Sequence, residues 1–136
     1  MKRIYRGFLV ISLSGLPLMG GVGIPGSLAQ TQPVASLQQQ LQQALRQSEQ
    51  RQFPAAIATL QQALQQSRQL KSPEFEALIL TELGRNYYSL GQPQLALEAY
   101  QQALPILQAL GNQASEATTW NNLGTLYEGF GATPSG

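Results

Sequence analysis

Two stretches, LTELGRNYYSLG from Leu80 to Gly91 and TWNNLGTLYEGFG from Thr119 to Gly131, share one skeleton: Leu-Gly, two residues, Tyr, three more, then Gly. Sliding the chain against itself by forty residues extends the match in both directions. Ala56 falls on Ala96, Gln61-Gln62-Ala63-Leu64 on Gln101-Gln102-Ala103-Leu104, Leu70 on Leu110, and Glu76-Ala77 on Glu116-Ala117. Composition alone would scatter matching Gln and Ala, but it would not keep Leu, Gly, Tyr and Gly in register. The chain is therefore an internal repeat, and a repeat of this length is one supersecondary unit that buries its apolar face only by stacking on its neighbours.

Helix breakers divide each period in two. Ser72-Pro73-Glu74 is a helix start, with Ser as N-cap, Pro at the first helical position and an acid near the positive end of the dipole. That helix runs to about Leu90, where Gly91 can take the left-handed conformation that ends it. Pro93 opens the next helix, which stops near Leu110 at Gly111-Asn112; a third starts near Gln113 and stops at Gly131. Upstream, Phe53-Pro54 opens a helix reaching Leu70. Ser36 with Gln39 offers a capping box for a first helix ending near Arg51. Five helices with short connections pack as antiparallel neighbours. The fold class is all-α, an α-solenoid of about two and a half helix pairs spanning residues 34–131.

The helices are amphipathic at the 3.6-residue period: Leu97, Tyr100 and Leu104 share a face with Ala96 and Ala103. Gly84 and Gly124 stand inside helices, where each costs about 1 kcal/mol relative to Ala. The same cost at the same place in two repeats predicts helix crossings too close for a methyl group at both, with Tyr87 and Tyr127 filling the space beside them.

Charged residues make up only 11% of the chain and glutamine carries much of the polar surface. The formal net charge of +1 depends on Lys2, Arg3 and Arg6; from Gln30 onward five basic residues face seven acidic ones. No basic stripe remains for phosphates, which argues against a nucleic-acid partner. Cysteine and histidine are absent, which removes thiol nucleophiles, histidine bases, disulfides and most zinc sites. Neither a metal nor a cofactor is expected. Glu74 and Glu76 point to different helix faces, and Gly20-Gly21-Val22-Gly23 lacks the strand, helix and Lys of a phosphate loop. The chain reads as a non-enzyme.

Residues 1–29 read as a secretory signal: a basic start, an apolar run from Phe8 to Met19, and Ser27-Leu28-Ala29 with small residues at the positions a signal peptidase inspects. Cleavage after Ala29 is expected, with an uncleaved membrane anchor as the alternative. No Cys follows the run, so lipid attachment is excluded. Either way the mature chain is exported, periplasmic or extracellular, with no membrane contact once the signal is removed. Residues 30–33 read as a linker, and residues 132–136 as a flexible tail.

Leu80, Leu83, Gly84, Tyr87, Gly91, Ala96, Tyr100 and Ala103, with Trp120, Leu123, Gly124, Tyr127 and Gly131 in the next copy, resemble a tetratricopeptide repeat. At forty residues the period is similar to the longer repeats of kinesin light chain and of bacterial scaffold proteins, some of which continue into a caspase-like CHAT protease domain. The first copy departs from the pattern, with Gln43-Ala44 and Gln47 in place of Leu-Gly and Tyr. The resemblance implies a protein-interaction scaffold whose concave groove binds a peptide or protein segment; the alternative is the recruiting module of a larger CHAT-type enzyme. It also implies that the first helix of each pair lines the groove. The peptide-binding candidates are then Thr81, Arg85 and Tyr88 in one copy, and Thr118, Asn121, Asn122 and Thr125 in the next. Asn122 stands where long-period relatives carry an Asn that contacts a peptide backbone, and Arg85 suggests an acidic guest. The Lys/Asn clamp for C-terminal carboxylates has no counterpart here. Trp120, Tyr127 and Phe130 lie on a last helix with no partner helix after it. This suggests either a fragment of a longer array or self-association through that face.

Overall fold

The computed structural model describes residues 24–131, so most of the segment read as a signal and all of residues 132–136, read as a tail, lie outside the described residues. Five helices follow one another: α1 (Ile24–Glu49), α2 (Phe53–Gln69), α3 (Pro73–Ser89), α4 (Pro93–Leu110) and α5 (Gln113–Gly129). No strand occurs among the described residues. Turns of two or three residues connect the helices, which forces successive helices antiparallel. The chain divides after Ser36, and the unit from Leu37 onward is the repeat stack. Within it α3 packs against both α2 and α4, α5 packs against α4, and α3 touches α5 more lightly.

The first helix starts earlier than expected. Gln30 to Pro33, read as a linker, are helical, and so is Ser36, so Ser36 and Gln39 cannot form a capping box at a helix start. The Gln- and Ala-rich stretch carries good helix formers, and Pro33 inside the helix does not break it. Cleavage after Ala29, which the described residues leave open, would make Gln30 the first residue of α1.

The turns explain the period. Arg51, Lys71, Gly91, Gly111 and Gly131 all have positive φ, from 54° to 84°, and they recur every twenty residues. At four of these turns the next amide donates to a carbonyl five residues back: Gln52 to Gln47, Ser72 to Ser67, Gln92 to Tyr87 and Asn112 to Leu107, at 2.8–3.0 Å. This bond closes the helix end and reverses the chain at a fixed angle. Ser72 occupies the N-cap position of α3, but its hydroxyl makes no cap bond to the backbone and lies 3.4 Å from Glu74 Oε1 instead. Asn112 does cap α5, accepting from the Ser115 amide at 3.1 Å.

The core holds one cluster built from Leu37, Leu41, Ala44, Ile57, Leu60, Ala63, Ala77, Ile79, Leu80, Leu83, Ala99, Ala103 and Leu107. A second joins Ala96, Tyr100 and Leu104 of α4 to Leu123 and Leu126 of α5. Gly84 behaves as expected: a Cβ there would stand 2.4 Å from Cε1 of Tyr100 and 2.7 Å from Cδ1 and Cζ. The ring of α4 lies directly on the backbone of α3. Gly124 does not behave so. A Cβ there would meet nothing within 4 Å, because among the described residues no helix follows α5 to supply the ring. The tight crossing inferred at Gly124 is therefore not made.

Polar links across helix pairs repeat as well. Arg68 Nε meets Glu76 Oε2 at 2.6 Å, and Gln108 Nε2 donates to Glu116 Oε2 at 2.8 Å at the equivalent place forty residues on. Gln61 Nε2 donates to the Tyr87 hydroxyl at 2.8 Å, tying α2 to α3.

Candidate functional site

The start of α3 brings Glu74, Leu78, Thr81, Glu82 and Arg85 to one face, since residues three and four apart share a helix side. On α5 the same spacing aligns Ala114, Ser115, Thr118 and Asn122. The two faces enclose an open groove of about 1010 Å³, to which α4 adds Leu107 and Leu110. A smaller depression of about 290 Å³ lies between the end of α1, Phe53 and the C-terminal half of α3. Glu82 and Arg85 line both, so this pair is the ridge that separates them.

Arg85 Nη1 contacts Glu82 Oε1 at 2.6 Å and Oε2 at 3.1 Å. The Glu82 side chain is 9% exposed and that of Arg85 60%. One edge of the guanidinium thus holds a nearly buried carboxylate while the rest faces water. Behind the pair, buried Asn86 donates to the Glu82 carbonyl at 2.8 Å and accepts from the Ser48 hydroxyl at 2.7 Å. The ridge is thereby anchored to α1. Tyr100, under Gly84, has its phenol pushed up to about 12 by burial, with the Arg85 guanidinium working in the opposite direction and Glu82 adding to the rise.

The two threonines of the groove have their hydroxyls turned back on their own helices. Thr81 donates to the Ala77 carbonyl and Thr118 to the Ala114 carbonyl, each at 3.0 Å. What they offer a guest is chiefly methyl surface. Asn122 is the exception: its Nδ2 is buried and has no hydrogen-bond partner. An unmet buried donor costs about 1–3 kcal/mol, so this carboxamide loses nothing by swinging into the groove toward an acceptor.

Of the seven candidates from sequence, Thr81, Arg85, Thr118 and Asn122 come together on the groove wall. Tyr88, Asn121 and Thr125 do not line it. Asn121 lies about 100° around the helix from Asn122, while Thr125 stands about two turns beyond Thr118 on nearly the same face and donates to the Asn121 carbonyl at 3.2 Å. Tyr88 is 44% exposed beside the last turn of α5, its hydroxyl 4.0 Å from where a Gly129 Cβ would stand. Sequence reasoning missed Glu74, Leu78, Leu107 and Leu110 as groove residues. The spacing 74, 78, 81, 85 was a readable signal, whereas the α4 contribution depends on how the pairs stack.

No metal-binding cluster of three acidic, His or Cys side chains occurs among the described residues, and no described helix is long and apolar enough to cross a membrane. Stacked antiparallel helix pairs with a groove lined by the first helix of each pair define an all-α solenoid. The tetratricopeptide repeat family model matches this chain at residues 44–109 and again at 76–135, and the chain belongs to that family. No curated protein matches it. Tetratricopeptide repeats generally mediate protein–protein interactions, and this chain is a module of that class.

Proposed function

We propose that the repeat unit is a non-catalytic receptor for an extended peptide or protein segment, held between α3 and α5, and that it works outside the cytoplasm after loss of residues 1–29. The observation that carries the groove reading is that Asn122 lines the open channel while its buried Nδ2 has no hydrogen-bond partner, so that turning toward the channel would give it one. A main-chain carbonyl is the acceptor it lacks, and a carboxamide suits a backbone better than any one side chain. The export reading rests on the basic start, the apolar run and Ser27-Leu28-Ala29.

Binding of the full chain to an array of unrelated octapeptides tests this. Asn122→Ala is expected to weaken the peptides that bind by about fivefold, the value of one hydrogen bond, with circular dichroism and thermal midpoint unchanged. Peptide binding indifferent to Asn122→Ala removes the groove from consideration. Fractionation of cells expressing the full chain tests the export reading, which fails if the protein stays cytoplasmic with its first residues intact.

A second reading, association of two copies through α5, is favoured by the open space at Gly124 and by Trp120, which is 53% exposed. Solution mass measured across concentration decides it, and a monomer at every concentration eliminates it.

A further inference from the structure

We infer that the groove between α3 and α5 selects a segment carrying a basic residue next to a large apolar one, and disfavours acidic segments. This rests on the peptide reading above and adds the chemistry of the guest. The apolar part follows from Leu78, which is 46% exposed on the groove wall beside Leu107 and Leu110. A side chain covering it removes apolar surface from water on both partners.

The charge follows from who is already paired. Three charged residues line this groove: Glu74, Glu82 and Arg85. Arg85 looks like the cation that would attract an acidic guest, but its Nη1 holds both carboxylate oxygens of Glu82. Glu82 is only 7% exposed, so drawing Arg85 away would strand a nearly buried carboxylate without its counter-ion, the most unfavourable outcome for such a pair. Glu74 has no such commitment. It is exposed, forms no ion pair among the described residues, and has only the Ser72 hydroxyl at 3.4 Å. The groove therefore presents one negative charge with no ion-pair partner, favoured only by the N-terminus of α3, and the complement is a cation.

Geometry sets the spacing. Leu78 lies one helical turn from Glu74, and Glu82 lies one turn further, so the three span roughly 12 Å along α3. An extended chain covers that length in about four residues. A Lys or Arg at Glu74 then places an apolar side chain one or two residues away over Leu78.

Three fluorescein-labelled octapeptides serve as probes, Gly-Ser-Lys-Ala-Leu-Phe-Ser-Gly and its Glu-for-Lys and Ala-for-Lys counterparts, titrated with the full chain by fluorescence anisotropy. The Lys peptide is expected to bind about fivefold tighter than the Ala peptide, the upper range for an exposed ion pair, with the Glu peptide weakest and the Lys advantage shrinking as salt rises. Glu74→Gln should bring the Lys and Ala peptides to equal affinity. Equal binding of all three peptides, or a preference for Glu, overturns the charge inference; if those peptides still lose affinity with Asn122→Ala, the groove reading stands without it. Binding by none of the three overturns the proposal of an apolar, cation-bearing guest outright, and the octapeptide array then tests the groove reading by itself.

Discussion

Replacing Gly84 by alanine adds one methyl group to a helix, where intrinsic propensity alone favours alanine by about 1 kcal/mol. The structure reverses that sign. The new carbon would stand 2.4 Å from Tyr100 Cε1 and 2.7 Å from two further ring atoms, against roughly 3.5–4.0 Å for relaxed carbon contacts. The ring must therefore retreat by about 1 Å. It has little room, being 2% exposed and clustered with Leu104, Leu123 and Leu126. Overpacking of this kind costs about 1–3 kcal/mol, and contact this short belongs at the upper end, so Gly84→Ala should destabilise by about 1–2 kcal/mol net. Gly124→Ala, at the equivalent place forty residues on, meets nothing within 4 Å and should stabilise by about 0.5–1 kcal/mol. Urea unfolding of the full chain, followed by helical circular dichroism, reads both. The first copy supplies a rescue: Ala44 and Leu60 stand where Gly84 and Tyr100 stand in the second, and both are fully buried. Gly84→Ala combined with Tyr100→Leu copies that pair, and its two changes should be non-additive by about 1 kcal/mol in the favourable direction. Two alanine variants shifting the midpoint in the same direction by similar amounts would refute the claim that Tyr100 is what forbids a side chain at Gly84.

Arg51 and Lys71 hold φ of 60° and 54° at turns where the later copies have glycine, so Arg51→Gly and Lys71→Gly should each raise stability by about 0.5–1 kcal/mol, relief of left-handed strain exceeding the entropy of the added glycine; an unchanged or lowered urea midpoint contradicts this. Burial lifts the Tyr100 phenol from 10.0 to about 12, so the folded state keeps a proton that the unfolded chain releases. Its contribution of about 2–3 kcal/mol is intact below pH 10 and is lost as pH climbs toward 12. Tyr100→Phe should flatten that part of the stability–pH curve, and an equally steep alkaline loss in the variant assigns the effect elsewhere. Arg68→Ala, whose side chain is 48% exposed in its bridge to Glu76, should cost less than about 1 kcal/mol; a larger drop in thermal midpoint would mean the bridge organises the α2–α3 turn.

The helix pattern was readable because its punctuation is chemical. Proline cannot donate within a helix and glycine tolerates positive φ, so Pro54, Pro73 and Pro93 with Gly91, Gly111 and Gly131 mark boundaries in one dimension. Arg51 and Lys71 carry no such mark, and their turns were located only through the prolines that follow. The start of α1 was misplaced for the converse reason: Ser36 and Gln39 look like a cap, but a cap acts only where the backbone is not already helical, and here it is. Gly124 shows the limit of repeat symmetry. Its identity repeats Gly84, yet the reason for a glycine lies in the helix packed against it, which belongs to tertiary structure.

The groove was half legible for the same reason. Helical spacing aligned Thr81 with Arg85 and Thr118 with Asn122, and these four do converge. It could not reveal that Thr81 and Thr118 bond to their own backbone, and although Glu82 and Arg85 stand at pairing distance three residues apart, it could not reveal that Glu82 would be nearly buried on that guanidinium. That last fact reverses the electrostatic reading of the site. In sequence Arg85 reads as a cation inviting an acidic guest; in three dimensions it is the counter-ion that lets a carboxylate be buried beside Asn86 and Ser48. A charge already used to solvate a buried neighbour is not free to recruit a ligand, because every unit of attraction it offers outward is set against the neighbour's desolvation. The exposed Glu74 has no such obligation, so it and not Arg85 gives the groove its electrostatic sign.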